Sequence, residues 1–128
     1  MTGVVLDASA LLALLLGETG ADTVRSRRTG AVLSAVNYSE VIGRAAALCG
    51  SLEEAKRRVD RQEVEVVPLD QTQAAVAASL VPAGKPLGLS LADRCCLALA
   101  ITRRQPVLTA DSAWKSLKKV DVEIVLIR

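Results

Sequence analysis

Short apolar runs alternate with stretches of helical periodicity along almost the whole chain, and this alternation is the strongest constraint on its fold. The runs are rich in Val, Leu and Ile and uninterrupted by polar residues, which is typical of strands buried on both faces. Such strands, joined by helices in right-handed crossovers, predict an α/β domain with a parallel sheet between two helical layers. Strands are predicted at 3–6, 31–33, 64–67, 107–109 and 122–127, and helices at 9–16, 21–28, 38–49, 52–62, 71–80, 91–103 and 112–117.

The composition excludes several kinds of chemistry. The chain of 128 residues has no histidine, which rules out Ser/His and Cys/His catalysis and histidine metal sites as ordinarily built. The net charge of +2 argues against a basic coat over the whole surface, so nucleic acid would have to bind through local patches. Tyr38 and Trp114 are the only aromatic residues, which disfavours a base-stacking platform. Carboxylates are therefore the main candidates for acid-base work.

The cysteines and the apolar segments predict a cytoplasmic protein without a membrane anchor. Cys49, Cys95 and Cys96 are odd in number, and the adjacent pair would bridge only with strain. The apolar segment 10–16 is too short to span a membrane. The chain has no repeat and no second set of elements, so we expect one domain over residues 1–128.

Four acidic residues are predicted to meet at one edge of the sheet. Asp7 follows the first strand and Asp111 follows the fourth, while Glu40 and Asp93 fall at predicted helix starts. In a parallel α/β sheet these positions share the edge at which ligands bind. The four residues are therefore candidates for a common site.

Each acid also has a plain structural interpretation. A carboxylate just before a helix often caps it, and one three residues after a polar residue often completes a capping box. Both interpretations stay open at this stage. The acids concerned are Asp7 and Asp111 as caps, Glu40 in a box with Asn37, and Asp93 in a box with Ser90.

The segment after Asp93 favours a cation. Residues 95–101 are apolar around the whole helix, so the helix is predicted to be buried, and a carboxylate at its start needs compensation from Arg94 or from a metal ion. Oxygen ligands suit Mg²⁺ or Mn²⁺, which lower the pKa of a bound water and neutralise a phosphodiester. The prediction is metal-dependent phosphodiester hydrolysis.

Polar and basic residues near the acids are candidates for supporting roles. Ser9 and Thr109 each lie two residues from an acid and are predicted to hold the metal ligands in orientation. Helix initiation and strand packing are the alternatives for these two. Arg44 and Arg94 are the basic residues nearest to the acids in sequence and are the candidate substrate contacts.

Four sequence blocks resemble the PIN-domain ribonucleases, and specifically the VapC-type toxins of bacterial toxin–antitoxin pairs. The resemblance implies a three-layer α/β/α fold with a mainly parallel sheet, and a Mg²⁺ or Mn²⁺ site made by Asp7, Glu40, Asp93 and Asp111. It also implies endonucleolytic cleavage of RNA, a homodimer and a VapB-type antitoxin partner. The blocks are Val4-Val5-Leu6-Asp7-Ala8-Ser9-Ala10, Asn37-Tyr38-Ser39-Glu40-Val41, Leu89-Ser90-Leu91-Ala92-Asp93 and Leu108-Thr109-Ala110-Asp111.

Two other functions compete with this interpretation. A phosphoaspartyl phosphatase also carries an acid after its first strand, but it needs a second Asp two residues later, where this chain has Ser9. A non-catalytic PIN-like binding or scaffold module would keep the fold and lose the chemistry. The segment 82–88, whose prolines and glycines are predicted to interrupt helix and strand, leads towards Asp93 and is either a mobile gate or a plain connection.

Overall fold

A parallel five-stranded sheet forms the centre of the molecule, as the sequence predicts. The computed structural model describes residues 3–128. The order across the sheet is β3-β2-β1-β4-β5, and every neighbouring pair of strands is parallel. The strands are β1 (Val5–Leu6), β2 (Val32–Ser34), β3 (Glu65–Val67), β4 (Val107–Thr109) and β5 (Ile124–Leu126).

Helices cover both faces of this sheet. No helix in residues 3–128 has the length and apolar character needed to cross a membrane. Two 3₁₀ segments, Lys85–Leu87 and Ser112–Ser116, accompany the helices. The α-helices are α1 (Ala8–Leu16), α2 (Ala21–Ser26), α3 (Ala35–Cys49), α4 (Leu52–Asp60), α5 (Gln71–Ser79), α6 (Val81–Gly84) and α7 (Leu91–Arg103).

The main differences from the predicted elements lie at the start of α3 and in the segment 82–88. Helix α3 begins three residues earlier than expected because Ser34 caps it, its Oγ accepting a hydrogen bond from Val36 N at 3.3 Å. The segment 82–88 was expected to interrupt helix and strand, yet it is largely helical. Pro82 and Pro86 each stand in the first turn of their element, where the missing proline N–H has no helical partner to lose.

Alternate residues of each strand enter two separate cores. Leu6, Leu33 and Leu108 pack with buried residues of α1, α2, α3 and α4. Val5 and Val107 point the other way and pack with α7 and with Trp114. This period of two is the ordinary consequence of strand geometry. It produces the three layers of the α/β/α arrangement.

The chain order places a crevice beside the central strand. The chain runs from β1 outward through β2 to β3, then returns to pair β4 on the opposite side of β1. The helices that follow β1 and precede β4 therefore lie on opposite faces of the sheet. Ligands in such sheets bind outside the carboxyl ends of the strands at this switch point. Asp7 follows β1 and Thr109 ends β4 at that place.

Buried side chains hold helix α7 against the sheet. Leu97 is fully buried and Leu91, on the same helix, is 61% exposed. We expect Leu97→Ala to lower the free energy of unfolding by about 2–5 kcal/mol, because it leaves a cavity under the sheet. Leu91→Ala should change it by no more than about 0.5 kcal/mol. Urea denaturation of both variants tests this, and equal losses would contradict the burial described.

Candidate active site

The carboxylate of Asp7 is buried at the end of β1 and accepts three hydrogen bonds. Its side chain is 5% exposed. Oδ1 accepts hydrogen bonds from Ser9 Oγ at 2.7 Å and from Ala10 N at 2.9 Å, and Oδ2 accepts one from Thr109 Oγ1 at 2.5 Å. Asp7 is thus the cap of α1, as one interpretation predicted, and it also joins β1 to β4.

Ser9 and Thr109 connect this carboxylate to the chain after β4. Ser9 Oγ accepts a hydrogen bond from Ala110 N at 2.9 Å, and Thr109 Oγ1 accepts one from Asp111 N at 3.0 Å. Each hydroxyl therefore donates to Asp7 and accepts from the segment that carries Asp111. The two hydroxyls hold Asp7 in one orientation, whereas their predicted effect on a metal ligand stays a prediction.

Burial and a second negative charge raise the pKa of Asp7. Removal from water is the largest cause, the hydrogen bonds from Ser9, Thr109 and Ala10 oppose it, and the charge of Asp93 raises the pKa further. Asp93 must be close for its charge to act in this way. The charge of Asp93, at the start of α7, therefore acts on the carboxylate at the end of β1.

Burial and the charges of three predicted acids raise the pKa of the Cys96 thiol. It is fully buried, and Sγ donates a weak hydrogen bond to Leu6 O at 3.8 Å. Burial raises its pKa well above the ordinary value, and the charges of Asp7, Asp93 and Glu40 each raise it further. The charges of three of the four predicted acids therefore act on a thiol in the second turn of α7.

Asp93 and Asp111 combine a structural role with a free oxygen. Asp93 forms the predicted capping box, in which Oδ2 accepts from Ser90 N at 2.9 Å and Ser90 Oγ accepts from Asp93 N at 3.0 Å. Asp111 caps the second 3₁₀ segment, its Oδ1 accepting from Ala113 N at 3.0 Å. Between the described residues, no hydrogen bond reaches Asp93 Oδ1 or Asp111 Oδ2. These atoms remain able to accept from a ligand.

Glu40 lies in the second turn of α3, not at its start. Ser34 is the cap, so the predicted capping box of Asn37 with Glu40 is wrong. The two side chains interact inside the helix instead, where Asn37 Nδ2 donates to Glu40 Oε1 at 3.0 Å. The sequence suggests only a capping role for Asn37. Its burial and its hydrogen bond to Ala92 O depend on how α3 packs against α7.

The arginines expected to touch substrate have different surroundings. Arg94 Nη1 donates to Ala77 O at 2.9 Å, which directs this group towards the end of α5. Arg44 is exposed, one turn after Glu40 on α3. Within residues 3–128, neither arginine forms an ion pair with an acid of the site. Arg94 therefore does not supply the compensating charge that the start of α7 needs.

The oxygen donors fit a hydrated cation better than a protein cage. In the described part of the chain, no three His, Cys, Asp or Glu side chains are close enough to hold a metal ion by themselves. Mg²⁺ commonly takes only one or two carboxylates and keeps several waters for contacts with phosphate. Asp7 and Asp93 suit that mode, since burial and the charge of Asp93 raise the pKa of Asp7 and a cation would offset both effects.

The fold is that of a known family. A family model described as PIN domain matches residues 4–120. The chain belongs to the PIN domain family. It has no significant match among curated protein sequences.

Solved structures support the same fold. A chain of a toxin–antitoxin complex from Klebsiella pneumoniae aligns with a TM-score of 0.74 at 18% identity, covering 98% of this chain and 98% of that one. DNA-bound VapBC from Salmonella typhimurium gives 0.71 at 16% identity, with full coverage of both chains, 100% and 100%. VapBC-1 from nontypeable Haemophilus influenzae gives 0.70 at 16% identity, covering 97% of each.

The raised pKa of Asp7 predicts how stability depends on pH without divalent cations. Between the ordinary value of 3.8 and the raised value, the folded state holds a proton that the unfolded chain releases, so the free energy of unfolding falls as pH rises through this window. Asp7→Asn removes the ionisable group and should flatten the fall. Urea denaturation in EDTA from about pH 4 to about pH 8 measures it.

Ser9→Ala provides an internal check on this assignment. It removes a hydrogen bond that lowers the pKa of Asp7, so the fall in stability should extend to higher pH than in the wild type. Parallel pH curves for the wild-type protein and both variants would show that Asp7 does not cause the dependence.

Proposed function

We propose that this protein is a Mg²⁺- or Mn²⁺-dependent endoribonuclease and the toxin of a VapBC-type toxin–antitoxin pair. The observation that carries the proposal is the buried carboxylate of Asp7, which the hydroxyls of Ser9 and Thr109 hold at the switch point of the sheet. Membership of the PIN family and the similarity to chains of toxin–antitoxin complexes support it.

The roles of the acids follow from their surroundings. Asp7 and Asp93 hold the cation, with Asp111 Oδ2 and Glu40 available to its waters or to the substrate. When bound, the ion supplies a water of lowered pKa and neutralises charge on the phosphodiester. Glu40 is exposed, and Asn37 engages only its Oε1. Its Oε2 is therefore suited to take the proton of the attacking water.

RNA phosphates are proposed to contact the basic residues that other acids do not neutralise. Glu54 pairs with Arg57, Arg58 and Arg61. Arg44 and Lys115 are exposed beside Glu40 and Asp111 in sequence, and neither makes an ion pair within residues 3–128. Cleavage should weaken with salt as these contacts release counterions.

The partners are proposed from the similarity alone. Related chains come from complexes described as toxin–antitoxin or VapBC, some of them bound to DNA. We therefore propose a VapB-type antitoxin for this chain, a homodimer as its own assembly, and the cytoplasm as its place of action, where RNA is the substrate.

One observation favours a second candidate, a non-catalytic PIN-like scaffold. The described residues include no cluster of three acids close enough to bind a metal unaided. A scaffold would keep Asp7 as a cap and a link between strands, with no use for a cation. Metal binding separates the two candidates.

Substitution of the central acids tests the proposed chemistry. We expect Asp7→Asn and Asp93→Asn each to lower Mg²⁺-dependent cleavage of a mixed RNA substrate by at least about 100-fold, because loss of partners outside the ligand shell already costs about 10–100-fold. Asp70→Asn is the matched control, since Asp70 caps α5 by accepting from Gln73 N at 2.8 Å. It should keep its activity and lose little stability, because Asn caps a helix about as well as Asp. Undiminished cleavage by either site variant would remove the assignment.

Cation binding also predicts a change in stability that does not depend on activity. If only the folded protein binds the ion, Mn²⁺ at about 100 times its Kd should raise the free energy of unfolding by about 2.7 kcal/mol. Asp7→Asn should abolish this increase. Denaturation with and without MnCl₂ measures it, and a wild-type curve indifferent to the ion would favour the scaffold.

A further inference from the structure

A buried amide connects two of the proposed catalytic segments. Asn37 is 1% exposed although Glu40, one turn later on α3, is exposed. Asn37 Nδ2 donates to Glu40 Oε1 at 3.0 Å and to Ala92 O at 3.3 Å. Ala92 is the residue before Asp93 on α7. One amino group thus ties the carboxylate of α3 to the segment that carries Asp93.

The orientation of the Asn37 amide is determined by its neighbours. Both groups near Nδ2 are acceptors, so exchange of the nitrogen and oxygen would place Oδ1 against two oxygens. Oδ1 must therefore occupy the other position. There it is buried and receives no hydrogen bond from the described residues, which is uncommon for a buried polar atom and calls for a donor.

A hydrated cation supplies the kind of donor this atom needs. Waters bound to Mg²⁺ or Mn²⁺ point their hydrogens outward, towards acceptors such as carboxylate and amide oxygens. Both polar atoms of Asn37 belong to one planar amide, and its nitrogen already contacts Glu40. Oδ1 therefore belongs to the same rigid plane as the nitrogen that binds Glu40.

We propose that Asn37 is a positioning residue of the acidic site: its nitrogen holds Glu40 against the start of α7, and its oxygen accepts a hydrogen bond from a water of the bound cation. This inference rests on the proposed function. Without Asn37, the exposed side chain of Glu40 would sample several rotamers. A water bound to the cation would also lose its hydrogen bond to Asn37 Oδ1. Neither effect requires loss of the fold.

The chain offers a matched control in Gln73. It is also a buried amide, with Nε2 donating to Pro68 O at 3.2 Å and Oε1 left without a partner among the described residues. It lies on α5 and contacts no acid of the site through these atoms. Gln73→Ala therefore reproduces the cost of removing a buried amide without touching the proposed role.

The experiment is a double-mutant cycle of Asn37→Ala and Glu40→Ala. For each variant, calorimetry gives the Kd for MnCl₂, and denaturation in EDTA gives the free energy of unfolding. Asn37→Ala should weaken Mn²⁺ binding by about 10-fold or more. In the Glu40→Ala background the same change should cost less, because Glu40 no longer needs positioning and only the hydrogen bond of Oδ1 is left to lose. Gln73→Ala should reduce stability and leave the Kd unchanged. Should Asn37→Ala fail to fold, Asn37→Ser, too short to reach Glu40, replaces it.

The outcomes separate this inference from the proposed function. An unchanged Kd for Asn37→Ala, equal losses in the two Glu40 backgrounds, or an equal loss for Gln73→Ala would each overturn the positioning role. Mn²⁺ binding that Asp7→Asn abolishes and Asn37→Ala preserves would remove this inference alone. No Mn²⁺ binding by the wild-type protein would remove both.

Discussion

The buried carboxylate of Asp7 is the interaction on which the other parts of the site depend. It caps α1, and through Thr109 and Ser9 it joins the end of β1 to the start of the segment after β4. The same two strands border the switch-point crevice. A single charged group therefore organises the local fold and lies where a ligand would bind, although burial of that charge opposes folding.

This arrangement trades stability for a prepared site. The hydrogen bonds to Asp7 favour its charged form, whereas burial and the nearby charge of Asp93 oppose it, and burial is the larger effect. An apolar residue at this position would avoid that cost. Under the proposed function, a carboxylate held in place and short of positive charge would bind a cation with little reorganisation. Asn37 extends the same logic to Glu40, which its amide restrains.

Sequence patterns predicted the fold well because buried strands and helices differ in the spacing of their apolar residues. The continuous apolar strands and the apolar stretch 95–101 of α7 correctly indicated burial on both sides of the sheet. Boundaries were less secure where two signals competed. Ser34 and Asn37 both resemble caps, and only packing decided that α3 begins at the first. The prolines of 82–88 suggested a break, yet at the first turns of short helices they are compatible with helical structure.

The sequence by itself determined the sheet type, the candidate acids and the absence of histidine chemistry, because these follow from residue identity and local periodicity. Tertiary structure decided what local patterns do not contain: that the hydroxyls of Ser9 and Thr109 meet one carboxylate from opposite ends of the chain, that Arg94 turns towards α5, and that Asn37 links α3 to α7. Such contacts join residues distant in sequence, so they depend on how the helices and strands pack rather than on the propensity of any one of them.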